Sequence, residues 1–179
     1  MRLTQKIILI THTFSRYIIK SDPVKGIIIL TYKHRQFGTF MVNGLGAGLI
    51  MMLLILFRTP PGPAKLITLV VSLLIFCSLL LFWSLTVEVK NDHILVYFGF
   101  GVIHKKIFLS DIQQVNVVRT PLYYGWGIRP APHGWMFNVS GLGGVELIFK
   151  NNERFRIGSD EPGRLAEVIQ NQMLVADDQ

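Results

Sequence analysis

Five histidines, one cysteine and two glycine-rich stretches are the residues of this 179-residue chain whose types could carry chemistry. Gly99-Phe100-Gly101 is followed by His104 where a dinucleotide-binding turn needs a third glycine for close backbone approach. Gly141-Leu142-Gly143-Gly144 lacks the Lys-Ser/Thr pair that a phosphate-cradling loop places at its helix start. No Gly-x-Ser-x-Gly nucleophile turn occurs. His93, His104 and His133 have no ligand spacing to one another or to a carboxylate, and Asp111 reads as a turn former before a strand. The chain is therefore not expected to be an enzyme, and neither a cofactor nor a metal site is expected.

The sharpest cluster is aromatic. Tyr123, Tyr124, Trp126 and Arg129 lie in a stretch from Thr120 to Gly134 that also holds Gly125, Gly127, Pro130 and Pro132, and Trp135 follows it directly. Aromatics beside an arginine are the usual anchors of a binding surface, so these five residues are the candidate interaction site. Two other readings stay open. Trp126 and Trp135 could close one end of a barrel, with Arg129 paired to Asp160 or Glu161, or the loop could enter a lipid headgroup layer beside Trp83.

Two uncharged apolar runs, Gly38 to Phe57 and Leu66 to Val87, must position this cluster. At about 1.5 Å per helical residue, each is long enough to cross the hydrocarbon core of a bilayer. Between them, Pro60-Pro61-Gly62-Pro63 is expected to interrupt the helix, with Arg58 and Lys65 marking the water boundary. Lys20, Lys25, Lys33 and Arg35 before the hairpin, and Lys90, Lys105 and Lys106 after it, outnumber the loop's two cations. Both termini are thus expected in the cytoplasm, with the hairpin in the membrane.

The net charge of +7 is unevenly spread, because residues 1–65 carry nine Lys/Arg against one acid and residues 86–179 carry nine against ten. Nucleic acid is excluded as a partner of the C-terminal part, which has no excess of cations to neutralise phosphates. Cys77 is the only cysteine, so no intramolecular disulfide can form. Gly44, Gly46 and Gly48 leave one face of the first run bare, and the expected occupant is the second helix, with self-association as the alternative. Asn43 is expected to donate a hydrogen bond between helices. Residues 1–31 hold only short apolar clusters, read either as an amphipathic segment at an anionic surface or as an extension upstream of the true start. Tyr32 to Gly38 reads as a basic, aromatic-flanked interfacial anchor.

After the second run the apolar period changes from helical spacing to strict alternation. Strands are expected at Leu85 to Val89, Ile94 to Phe98, Ile103 to Phe108 and Val115 to Val118, forming a four-stranded meander with a turn at Asn91-Asp92. Three more follow at Trp135 to Val139, Val145 to Phe149 and Arg154 to Ile157, the last two joined at Asn151-Asn152. The chain closes in a helix capped by Ser159 or Asp160, whose Leu165, Val168, Ile169 and Met173 share one face. The expected fold is a membrane α-helical hairpin plus a soluble PH-like β domain, with seven antiparallel strands in a two-sheet barrel and a C-terminal helix. A barrel without a helix is the alternative. The expected divisions are a basic segment over 1–37, the hairpin over 38–87 and the β domain over 86–175.

The blocks Tyr32-Lys33-His34-Arg35-Gln36-Phe37-Gly38, Tyr124-Gly125-Trp126-Gly127-Ile128-Arg129, Gly134-Trp135-Met136-Phe137-Asn138-Val139-Ser140-Gly141 and Phe155-Arg156-Ile157-Gly158-Ser159-Asp160-Glu161-Pro162 resemble bacterial PH-like membrane proteins of unknown function. The resemblance covers most of residues 32–172. It implies a fold and a membrane location, and it brings no substrate or activity. The expected function is a protein-interaction or scaffolding module at the inner membrane. Its expected partners are the lipid bilayer and either a membrane protein or a second copy, and the alternative is a small regulatory subunit of a membrane enzyme or transporter.

Overall fold

The computed structural model describes residues 8–12, 15–21, 28–131 and 134–177. Three strands come first: β1 (Ile8–His12), β2 (Ser15–Ser21) and β3 (Ile28–Phe37). Helices α1 (Thr39–Arg58) and α2 (Pro63–Phe82) follow, then β4 (Ser84–Val89), β5 (His93–Phe98) and β6 (His104–Phe108). These six strands form one sheet in simple chain order, so the two helices are inserted between neighbouring antiparallel strands, β3 and β4.

That insertion corrects the division at residue 86 and the reading of Tyr32 to Gly38 as an anchor. Along β3, Tyr32, His34 and Gln36 point inward and are buried, whereas Lys33, Arg35 and Phe37 point outward. Alternation with period two is what a half-buried strand requires. Tyr32 joins the apolar core, while His34 and Gln36 bond to the second layer: His34 Nε2 lies 2.6 Å from Asp160 Oδ1, and Gln36 Nε2 donates to the Ser140 carbonyl at 2.9 Å. Outward Lys33 meets Glu88 of β4 at 2.6 Å, and Tyr97 donates to the same carboxylate at 2.8 Å.

The strands hand over directly to the helices. Phe37 pairs with Ser84, and the Gly38 amide donates to the Trp83 carbonyl at 2.9 Å, closing the base of the hairpin. A Cβ at Gly38 would stand 3.1 Å from the Phe82 carbonyl, so a glycine suits this close approach. Each helix has 20 residues and is long and apolar enough to cross a membrane. The second begins earlier and ends earlier than its apolar run suggests. Pro63 is its first residue, where a missing amide costs nothing, and Leu85 and Val87 belong to the core of β4. Nothing packs against the Gly44, Gly46 and Gly48 face within 4 Å of an added Cβ, so the second helix does not occupy it.

The second sheet comprises β7 (Ile112–Arg119), β8 (Gly127–Ala131), β9 (Gly134–Asn138), β10 (Gly143–Phe149) and β11 (Arg154–Gly158) in the order β7-β10-β11-β9-β8. All seven expected strands form, with two differences. The fourth, β7, pairs with β10 and so opens the second sheet instead of completing a meander. β9 runs parallel to β11, which departs from an all-antiparallel arrangement.

Helix α3 (Pro162–Asp177) lies on β7 and β10 and buries Leu165, Val168 and Ile169, with Met173 packed at the edge. Its start is fixed by the Ser159 hydroxyl, which accepts from the Glu161 amide at 3.1 Å. Between the sheets lie Val87, Val96, Leu147 and Ile157, with a run of aromatic contacts from Phe82 to Phe98 to Phe137 to Phe155 at centroid distances of 5.1, 4.9 and 5.1 Å. Phe82 ends α2, so the helix is packed into the core of the β domain.

Because Tyr32 is 0% exposed in that core, Tyr32→Ala should destabilise the full chain by about 3 kcal/mol or more, as truncation of a buried aromatic does. A thermal melt of the detergent-solubilised protein measures it. An unchanged melt would show that β3 does not belong to the domain.

Candidate functional site

The stretch from Thr120 to Gly134 is more ordered than a loop. The Thr120 amide donates to the Leu142 carbonyl at 2.6 Å, a single 3-10 turn covers Leu122–Tyr124, and β8 pairs with β9 through Ile128 to Phe137 and Arg129 to Met136. Gly125 and Gly127 hold φ of +68° and +96°, which side-chain-bearing residues rarely adopt. These two glycines set the angle at which Trp126 leaves the sheet.

Trp126 leaves toward the helices. Its ring stacks on Phe40 in the first turn of α1, with centroids 5.1 Å apart and planes 6° from parallel. Arg129 Nε donates to the Trp126 carbonyl at 3.1 Å and so braces this geometry. Neither acid suggested for Arg129 is its partner: Asp160 is bonded to His34, and Glu161 lies 3.8 Å from Arg164.

The five candidate residues therefore divide. Trp126 belongs to the junction with α1. Tyr123 and Tyr124 pack together at 4.8 Å; Tyr123 is 82% exposed, whereas Tyr124 is half-buried. Burial, with Tyr123 beside it, raises the Tyr124 phenol above its ordinary pKa, and nearby Arg156 opposes the shift. Trp135 is 55% exposed and alternates with Met136 along β9, placing it on the sheet face opposite Arg129. Tyr123, Arg129 and Trp135 remain open to a partner, but on two faces.

Two features escaped the sequence reading. On the outer side of the second sheet, Glu146 is buried and bonds both Arg156, at 2.7 Å, and Arg154, at 3.2 Å. The hairpin is centred on Asn151, which pairs Glu146 with Arg156, whereas a two-residue turn at Asn151-Asn152 would have placed Ile157 opposite Glu146, so no signal for this cluster was available in the sequence. The other is a band of rings where helices meet domain. Trp83 lies 5.8 Å from Phe37 and 5.9 Å from Phe100, and the Arg35 guanidinium sits 4.2 Å from the Trp83 ring centroid. With Phe40 and Trp126 these residues ring the domain end of the hairpin.

The histidines are engaged individually. His93 Nδ1 is 2.6 Å from Asp92, and His104 Nδ1 is 3.1 Å from the Gly101 carbonyl, while His133 lies outside the described residues. Among the described residues no three His, Cys, Asp or Glu side chains are placed to share a metal ion. Comparison of the chain with protein families, curated proteins and solved structures finds no match.

Burial raises the Asp160 carboxyl, but the His34 hydrogen bond and charge outweigh it, leaving Asp160 below the ordinary aspartate pKa. A depressed carboxylate contributes stability that is present above its unfolded pKa and is lost as pH falls through its folded pKa. Asp160→Asn should therefore lower the melting temperature at neutral pH and flatten its decline below about pH 4. An acid limb unchanged from the parent protein would remove Asp160 from this role.

Trp126→Ala should cost the full chain about 1 to 2 kcal/mol, the scale of an aromatic pair plus partial burial. Phe40→Ala should lose a similar amount, and the double variant less than the sum, as thermal melts would show.

Proposed function

We propose that this chain is an integral protein of the bacterial inner membrane, with α1 and α2 crossing the bilayer and a PH-like β domain held on the cytoplasmic surface as a protein-interaction module. The observation that carries the reading is the apolar exposure of the helices. α1 buries no residue and α2 buries only Ser72, so side chains such as Ile50, Leu54, Leu73 and Leu74 need a non-aqueous surrounding. The band of Trp83, Phe37, Phe40 and Trp126 supports the same placement, because amphipathic rings collect at a membrane boundary.

Pairing of β3 with β4 requires both flanks of the hairpin to lie on one side, and the Lys/Arg excess there favours the cytoplasm. The PH-like assignment is supported by two sheets, of six and five strands, followed by a helix packed on the second sheet. Fold alone assigns no ligand. The interaction role is supported by Arg129 and Trp135 on the β8–β9 hairpin and Tyr123 in the turn before it, all large and exposed.

Reporter fusions test the topology. A cytoplasm-active reporter should work at the C-terminus and a periplasm-active one near Gly62, and the opposite pattern overturns the orientation. For the interaction role, a photo-crosslinker at Tyr123 or Trp135 should capture a membrane protein partner or a second copy in cells. Arg129→Ala should reduce capture about tenfold or more while leaving the melt within about 0.5 kcal/mol. Capture of an enzyme or transporter would make the chain a regulatory subunit, and absence of any adduct at both positions would reject the role.

A further inference from the structure

At the domain end of the hairpin, a cleft of about 660 Å³ opens between α1 and α2. Its walls are apolar, from Val42 and Leu49 on α1 and from Phe76 and Leu80 on α2. Phe37, Trp83 and Phe100 form its roof. Such a volume lies within the range of small-ligand sites, but these walls offer an apolar chain and little else.

The polar side chains in the cleft lining are few. Thr39 and Asn43 are one helical turn apart on α1, so both face the cleft, with Asn43 about 6 Å deeper. Neither side chain has a protein hydrogen-bond partner among the described residues. Asn43 therefore does not bridge the helices as expected, and its amide is left unpaired in a wall of hydrocarbon. That is an unfavourable arrangement unless something else accepts its hydrogens. The Arg35 guanidinium lies against the roof, 4.2 Å from the Trp83 ring centroid and 5.4 Å from that of Phe37. Its Nε donates to Ser84 Oγ at 3.2 Å, and its two terminal nitrogens have no partner among the described residues.

A cation on the roof, with hydroxyl and amide donors in otherwise apolar walls, is the complement of an anionic phosphodiester, ester carbonyls and an acyl chain. We propose that the cleft between α1 and α2 binds one glycerophospholipid of the adjoining leaflet, with its phosphate on Arg35, its ester carbonyls on Thr39 and Asn43, and an acyl chain between the helices. The site rests on the reading that the helices cross a bilayer. It recognises the phosphodiester and the esters that different headgroups share. It needs β3 and both helices together, so the C-terminal half could not form it alone.

Full-length protein extracted from membranes and washed with excess mild detergent tests this by native mass spectrometry. The parent chain should retain one glycerophospholipid per copy. Asn43→Leu and Arg35→Gln should each lower that occupancy about tenfold under the same wash, as loss of one well-made hydrogen-bonded contact does. Val42→Trp fills the cleft with apolar volume and leaves every polar group in place, so it should remove the lipid even if the other two variants fold poorly. After exchange into vesicles of phosphatidylglycerol alone or phosphatidylethanolamine alone, retention should be equal. A lipid-free parent chain, equal retention in all three variants, or a lipid-free dimer with a second copy in the cleft would overturn the proposal. Alkaline carbonate separates the two levels: a chain that carbonate extracts has lost the membrane reading itself, and one that resists extraction yet holds no lipid has lost only this site.

Discussion

The ladder between β3 and β4 is the constraint on which the rest of the molecule depends. It runs from Tyr32 opposite Val89 to Phe37 opposite Ser84, and the Gly38 amide then bonds the Trp83 carbonyl. At that point both strands become helices. No flexible linker separates sheet from hairpin, so the direction of α1 and α2 is set by the strand axes. Independent domains joined by a linker would reorient by default. Here the two share backbone hydrogen bonds and, through Phe82, a common core.

Side chains reinforce the junction by different means. Gly99, with φ of +47°, brings the β5–β6 turn against the end of α2, where an added Cβ would stand 2.7 Å from the Leu81 carbonyl. Trp126 approaches from the other sheet and meets α1 through Phe40. His34 and Gln36 tie β3 to the segments flanking α3 and β10. The hairpin base is thus gripped from both layers. That explains why Trp126 is not free to serve with Tyr123 and Arg129 as a single binding surface.

Much of this was legible in the sequence. The seven alternating segments all became strands, the two-residue turn fell at Asn91-Asp92, Asn151-Asn152 lie in the turn between β10 and β11, and the apolar stripe of α3 was read correctly. What was missed has physical reasons. β3 carries polar residues on its inward face, so period-two alternation of hydrophobicity gives no signal, and its outward Lys33 and Arg35 look like an interfacial flank. β8 contains Gly127 and Pro130, which argue against a strand, yet it is an edge strand, where proline is tolerated. The parallel pairing of β9 with β11 and the stack of Trp126 on Phe40 join residues far apart in the chain, beyond any local pattern. For the candidate site, residue types were readable, but their division between two sheet faces was not.

The position of the hairpin within the sheet also imposes an order on biogenesis. β3 leaves the ribosome before α1, and its partner β4 only after α2, so the strand must wait, unpaired on that edge, through the synthesis of both helices. The loop to be closed is long, but a formed hairpin brings its ends to neighbouring positions and replaces an entropic search with a short reach. Closure of the first sheet thereby becomes a checkpoint on the helices. A chain whose hairpin has failed to form keeps an exposed strand edge and an open core, the features by which quality-control proteases and chaperones recognise unfinished proteins.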